Sequence, residues 1–460
     1  MQILSRPLPA ISVRLIAGLL LLAAFAASVW TPGQGAPATG DGVPLAVGLL
    51  TLFVAGTVAI FAHRYMRADA GRGRFFAAFG AVIAAVLLLL VTRNLLLFAA
   101  AWCASGWFLA GLIGHSDGWA EARTAARRAR SVFLMGDLAL VAALGMLAWH
   151  FQSVQLDVIL SGAAGLSPLL ANGAALLLVA AAAVRCALPP FSGWLLSSMT
   201  APTPVSALMH AGFVNAGGFL LIRFGPVLEA APAARAAAVV IGLCAAIYGI
   251  GIMMVRPDVK RSLAGSTVSQ MGFMIMSCGL GAYAAALWHI IAHGLFKAWL
   301  FLGSGSAIGM KSRTPAAILS GRTSLLIAAG TVGVALSIFS FGSGDPGMIP
   351  LLLGLATASA ALAGLLTGTG SVRMRVLVLI ALAALAAFHG AGLALAGIAV
   401  GANGPPIVPD WVLLGVLVVF LGAWTWQQHL MATGRGLPLP VYVHLINAGT
   451  MPALGKGEGK

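Results

Sequence analysis

Apolar runs of about twenty residues recur along almost the whole chain, and the short stretches between them hold nearly all of its charge. Wound as α-helix at 1.5 Å per residue, a run of that length crosses the ~30 Å hydrocarbon layer of a bilayer. The pattern predicts an all-α polytopic membrane protein with about fourteen transmembrane helices. Their expected positions are near residues 12–30, 44–63, 75–92, 94–114, 132–149, 170–199, 203–222, 235–255, 260–282, 284–310, 324–343, 350–369, 376–400 and 410–426. The opening stretch, with Arg6 and Arg14 ahead of an apolar run to Trp30, is read as a retained first span rather than a cleaved leader.

Composition agrees with this reading. Of 460 residues, 60% are hydrophobic and only 8% charged. The net charge of +15 would suggest a nucleic-acid partner in a soluble protein, but topology accounts for it here. With the N-terminus inside, loop Lys and Arg fall on the cytoplasmic side except for Arg93, Arg223 and Arg235. Both termini are then cytoplasmic, and lipid rather than nucleic acid surrounds the chain. Cys103, Cys186, Cys244 and Cys278 are scattered through apolar segments without a CxxC pair, so they read as small core residues.

That assignment leaves Arg185 and Lys297 with no loop to occupy, and Asp137, in "FLMGDLAL", is the one acid more than a turn inside a span. A charge at a helix centre costs about 2.5 to 3.5 kcal/mol on insertion scales, which makes these three candidates for function. Three histidines join them: His210, His289 and His293. In "WHIIAHGLFKAWLFLG", His289, His293 and Lys297 stand four residues apart, each about 40° round the helix from the last, so they form one winding stripe. Imidazoles that take either protonation state, beside a lysine that burial pulls towards neutrality, compose a proton path. Asp137 is also the expected counter-ion of Arg185.

Other chemistries fit less well. HxxxH on a helix can bind zinc, but this segment offers no third ligand at useful spacing, so no metal is expected. Alone, His210 would read as an ordinary core histidine. Pro189 and Pro190 late in the sixth span remove two amide donors, a break tolerated at membrane depth only where protein or water satisfies the freed carbonyls. Pro202 and Pro204 read as a kink at the cytoplasmic surface. The 58 glycines suit close helix packing. With no GxGxxG, no Ser/His/Asp set and no soluble domain, the chain is expected to be a transporter subunit rather than an enzyme, with no cofactor.

The segments "FSGWLLSSMTAPTPVSALMHAG" and "VRPDVKRSLAGSTVSQMGFMIMSCGLGAYAAALWHIIAHGLFKAWLFLGSGS" resemble the antiporter-like, proton-conducting membrane subunits of respiratory complex I and Mrp cation/proton antiporters, over about residues 60 to 312. The resemblance implies two inverted five-helix repeats, each with a broken helix, and a relay of lysine, histidine and carboxylate. Residues 1–74 would hold N-terminal spans, 75–222 the first repeat, 235–369 a second, degenerate repeat, and 370–460 C-terminal spans and a cytoplasmic tail. Lys297 would be the central lysine, His289 and His293 its neighbours, His210 the link to the first half, and Asp137 a carboxylate beside the first-half base.

Three departures from that family's pattern stand out. "AAAWCASGW" puts Cys103 where those subunits carry a glutamate, Arg185 replaces the first-half lysine, and "VALSIFSFGSGDPGMIP" lacks the second-half lysine. With "HAGFVNAGGFLLIRF" and "LPVYVHLINAG", the chain most resembles the membrane-subunit family (DabB) of the DAB inorganic-carbon accumulation system. That likeness implies a cation-driven subunit in a bacterial inner membrane, energising a large zinc-dependent β-carbonic-anhydrase-like partner (DabA type) on the cytoplasmic side. The alternatives are an antiporter-like subunit of complex I or an Mrp antiporter, and a membrane scaffold that conducts nothing.

Overall fold

A computed structural model describes residues 42–304, 319–340, 347–367, 372–401 and 409–450. The expected first span, residues 12–30, lies outside them, as does the centre of "SIFSFGSGDPG". Helices occupy the positions of the other thirteen expected spans. They are α1 (Gly42–Tyr65), α2 (Arg72–Val91), α3 (Leu95–Ile113), α4 (Ala120–Phe151), α5 (Pro168–Arg185), α6 (Thr203–Ala211), α7 (Ala216–Arg223), α8 (Pro232–Val255), α9 (Val259–Leu280) and α10 (Tyr283–Gly303). α11 (Gly321–Ser340), α12 (Met348–Thr367), α13 (Val372–Val400), α14 (Asp410–Thr433) and the short α15 (Leu439–Ile446) follow. Among the described residues, 10 segments are long and apolar enough to cross a membrane, α6 and α7 counting as one.

Three boundaries differ from the sequence reading, each for a local reason. α4 begins at Ala120 rather than near 132, because the Ala- and Arg-rich lead-in "AEARTAARRAR" is itself strongly helix-forming. The span expected over 170–199 stops at Arg185; residues 186–192, with the prolines, are irregular, and a short helix follows over Gly193–Ser197. The span over 203–222 is also broken, at Gly212–Asn215, with Asn215 Nδ2 donating to the Ala211 carbonyl at 2.8 Å. Pro202, half-buried, caps α6, and the helix that follows it, Thr203 to Ala211, is buried throughout.

The loops at each end of the bundle are tied to one another. At one end, Leu95 N donates to the Val154 carbonyl at 2.8 Å, Leu156 N to the Arg93 carbonyl at 2.7 Å, and Arg93 pairs with Asp157 at 3.2 Å. At the other, Arg74 pairs with Asp117 at 2.9 Å and His115 with Asp69 at 3.2 Å. The Arg74 guanidinium holds the exposed Asp117 carboxyl below its usual range. Arg256 and Arg128 donate to the carbonyls of Ala448 and Thr450, which fastens the segment after α15 to this end. These pairings agree with the alternation of loops expected from the sequence.

α8 and α9 form the tightest pair because glycines face the contact. A Cβ on Gly272 would lie 2.6 Å from both the Ala246 nitrogen and the Gly242 oxygen. Gly281, at φ 86°, then turns the chain from α9 into α10, which packs against α1, α6, α9 and α13. Gly294 lets α10 close on the end of α6, since a Cβ there would meet the Ala211 carbonyl at 2.8 Å. α10 therefore turns its polar stripe towards neighbouring helices, while Leu295, Phe296 and Trp299 stay exposed on its other face.

Candidate functional site

Two clusters of polar side chains lie within the bundle. The first is built on α10. Lys297 is 1% exposed and donates from Nζ to the Leu263 carbonyl of α9 at 3.1 Å. No carboxylate among the described residues pairs with it. One turn back is buried His293, and a further turn back His289, their rings nearly parallel with centroids 5.8 Å apart. One turn on from Lys297 the stripe continues to Phe301, whose ring is the platform for His210, stacked at 4.1 Å and 10°. The stripe thus brings His210, on α6, to the lysine.

A hydrogen-bonded chain joins the same groups through α9. The Thr267 hydroxyl lies 3.0 Å from His210 Nδ1 and donates to the Leu263 carbonyl, also at 3.0 Å. That carbonyl accepts from Lys297 as well. A hydroxyl has one proton, and a carbonyl can only accept, so the network assigns the Nδ1 proton to His210. Neutral His210 then presents an unprotonated Nε2, which is buried without a protein partner. Both ring nitrogens of His293 and Nε2 of His289 are likewise unpartnered, as are Thr200 Oγ1, Ser206 Oγ and Asn215 Oδ1. Buried polar atoms are almost always hydrogen-bonded, so this row demands water or a travelling proton.

The second cluster is built at the broken end of α5. Arg185 closes that helix, where the dipole favours a cation. Its Nη1 donates to Ser105 Oγ at 3.0 Å and its Nη2 to the Trp102 carbonyl at 3.0 Å and to Asp137 Oδ1 at 3.4 Å. The guanidinium also lies over the rings of Trp102 at 4.0 Å and Phe213 at 4.5 Å. The ion pair anticipated from sequence is thus in place. Cys103, where a glutamate was expected by resemblance, neighbours Asp137 and supplies no charge to balance Arg185. Phe213 stands three residues beyond His210, in the break between α6 and α7, so one irregular turn links the two clusters.

Sequence reasoning missed several partners. Ser105, Trp102 and Thr267 carry no distinguishing pattern, because small hydroxyls and aromatics are common in apolar helices. His389 on α13 was also missed; its Nδ1 accepts from Trp288 Nε1 at 2.8 Å, which leaves its own proton on Nε2. Among the described residues no three His, Cys, Asp or Glu side chains converge as metal ligands.

The chain is similar to the probable inorganic carbon transporter subunit DabB1 of Halothiobacillus neapolitanus, 39% identical over 270 residues, which cover 56% of this chain and 48% of the relative. It is 35% identical over 360 residues to the probable inorganic carbon transporter subunit DabB of Bacillus subtilis, covering 75% of this chain and 68% of that one. It is also 36% identical over 271 residues to NADH-quinone oxidoreductase subunit L of Mycobacterium tuberculosis, covering 58% and 43%. The chain therefore spans about half the length of the first of these relatives. In fold it is similar to a chain of the Mrp complex from Dietzia sp. DQ12-45-1b, with a TM-score of 0.57 and 24% identity, covering 94% of this chain and 49% of that one. The family of NADH:quinone oxidoreductase/Mrp antiporter transmembrane subunits matches residues 92–396, a stretch that contains both polar clusters, and the chain belongs to that family.

Proposed function

We propose that this chain is the proton-conducting, energy-coupling membrane subunit of an inorganic-carbon uptake complex in a bacterial inner membrane. One observation carries the reading. Lys297 is buried with a single backbone carbonyl for a partner and no acid, one turn from His293, neither of whose ring nitrogens has a protein partner. A structural lysine would be neutralised by a carboxylate. One that must gain and lose a proton is better left without one.

Likeness to the DabB subunits supports inorganic carbon as the cargo, as do Cys103 and the lack of a lysine in residues 334–350, which remove parts an antiporter relay uses. The zinc chemistry falls to a β-carbonic-anhydrase-like partner on the cytoplasmic face, the end carrying Arg74, Arg128 and Arg256. On this reading both termini are cytoplasmic, and residues 75–222 and 235–369 are two repeats, the second degenerate. Lys297, His293, His289 and His210 pass the proton, while Arg185 with Asp137 supplies a charge that does not titrate.

The work of accumulation comes from the ion gradient, since hydration by the partner alone only approaches equilibrium. One charge moved through 100 mV supplies about 2.3 kcal/mol, enough for roughly a fifty-fold ratio. Uptake of labelled inorganic carbon by cells expressing both subunits should be lost with Lys297→Ala. It should be lost with Lys297→Arg as well, because guanidinium does not deprotonate. A protonophore should collapse it in the parent. Full uptake in the Arg variant, or uptake that survives the protonophore, refutes the reading.

A further inference from the structure

The row of protonatable groups on α10 needs an outlet, and the helices beyond it offer no further carrier in line. α12 has no Asp, Glu, His, Lys or Arg, and α11 has only Arg322, in its first turn. α14 has only Asp410 at its start and His429 in its last two turns, while His389 of α13 is occupied by Trp288. At His289, however, a cavity of about 380 Å³ opens between α8, α9, α12 and α14. Its wall includes the polar side chains of Ser269, Gln270, His289, Thr357 and Gln427.

The carboxamides among these do not suit contact with lipid, whereas the Thr357 hydroxyl is satisfied by the Leu353 carbonyl at 2.9 Å. Gln270 is near the middle of α9 and is exposed, and Thr357 is near the middle of α12 and likewise exposed. A carboxamide has four hydrogen-bonding positions to satisfy, and hydrocarbon satisfies none of them. Polar side chains at membrane depth belong where they face a water-filled cavity. His289 lines the cavity, and its Nε2, buried one helical turn from His293, has no protein partner. A cavity of this size holds several waters at ~30 Å³ each.

We propose that the relay ends here: the cavity is a hydrated side access at which His289 exchanges protons with water, so the path leaves α10 laterally instead of continuing through the second half of the chain. The inference rests on the relay reading above and adds the place where the proton leaves it. No carboxylate among the described residues lines the cavity, and a hard cation such as sodium is held by carboxylate and carbonyl oxygens, whereas imidazole and hydrogen-bonded water suit the proton.

The test uses membranes containing the whole chain in its complex. A Cβ on Gly354 meets nothing within 4 Å, so Gly354→Phe places a ring in the cavity without displacing the backbone, and Gly354→Ala is its control. Proton flux in sodium-free buffer, followed with a pH-sensitive dye, should be lost in Gly354→Phe as in Lys297→Ala, and kept in Gly354→Ala. Independently, Thr357→Cys should react with a charged, membrane-impermeant thiosulfonate above the parent's own cysteines, while Leu355→Cys, on an exposed apolar position of the same helix, should not. Parent flux in Gly354→Phe beside a dead Lys297→Ala overturns the side access alone. So does a Thr357→Cys no more reactive than Leu355→Cys. Parent flux in Lys297→Ala removes the relay reading and this proposal with it, and flux that requires sodium overturns the ion.

Discussion

Removing the charge at either end of the Arg185 and Asp137 pair should have unequal costs, and the structure sets the ratio. At 3.4 Å, with an effective dielectric near 20, two unit charges attract by about 5 kcal/mol. Arg185 is 2% exposed and Asp137 17%, so the cost of desolvating the pair offsets much of that attraction and about 2 kcal/mol of coupling is expected. Asp137→Asn retains an acceptor oxygen, and Arg185 still reaches Ser105 and the Trp102 carbonyl; that change should cost about 2 kcal/mol. Arg185→Gln loses its charge-assisted hydrogen bonds and the cation–π contacts with Trp102 and Phe213 together, and should cost about 3 to 4 kcal/mol. The double variant should then be no worse than Arg185→Gln alone. Reversible unfolding of the purified protein in mixed micelles with increasing SDS measures all four corners of the cycle. Losses that add within about 0.5 kcal/mol would show that the contact contributes nothing and that hydrogen bonds and ring stacking hold Arg185 by themselves.

Two further perturbations test the packing that positions the stripe. Gly272→Val should separate α8 from α9 and lower stability by about 1 to 3 kcal/mol, because its Cβ would meet backbone atoms at 2.6 Å that cannot turn aside; a parent-like melting temperature in detergent would contradict the close approach. Trp288→Phe should cost about 1 kcal/mol by leaving His389 Nδ1 without its donor, and should loosen α13, read as faster proteolysis of that helix; unchanged cleavage would mean that the bond does not hold α13 in place.

The legible parts of this molecule are those with a one-dimensional signature. Twenty-residue apolar runs are conspicuous, so helices stand where thirteen spans were expected. Charges inside those runs are rare enough to be counted, so Arg185, Asp137 and Lys297 stood out, and the His289, His293, Lys297 stripe followed from helical geometry alone. Illegible features depend on which neighbour faces which. The break at Gly212–Asn215 has no proline to announce it, and "HAGFVNAGG" reads as one continuous span. Thr267 resembles any helical threonine bonding back to its i−4 carbonyl until the His210 ring is seen against it. Gln270 and Gln427 are uncharged and drop out of any census of ionisable groups, yet they line the cavity beside His289.

The two clusters also differ in what they can do, and that difference shapes the proposed mechanism. Arg185 is enclosed by three oxygen acceptors and two aromatic faces within 4.5 Å, and its charge is permanent. Lys297 has one acceptor and neighbours that can take a proton from it. A fixed charge biases where a mobile one resides but does not carry it, so in the proposed mechanism the proton travels on the α10 side while Arg185 sets the field along the way. The irregular turn at Gly212–Asn215 touches both, with Phe213 stacked on Arg185 and His210 on Phe301. Movement of that turn would alter the guanidinium's surroundings and the His210 to Thr267 bond together. Coupling of that kind passes through a packed, unbroken set of contacts that has two arrangements, and a helix interrupted between two polar clusters is the element best placed to supply them.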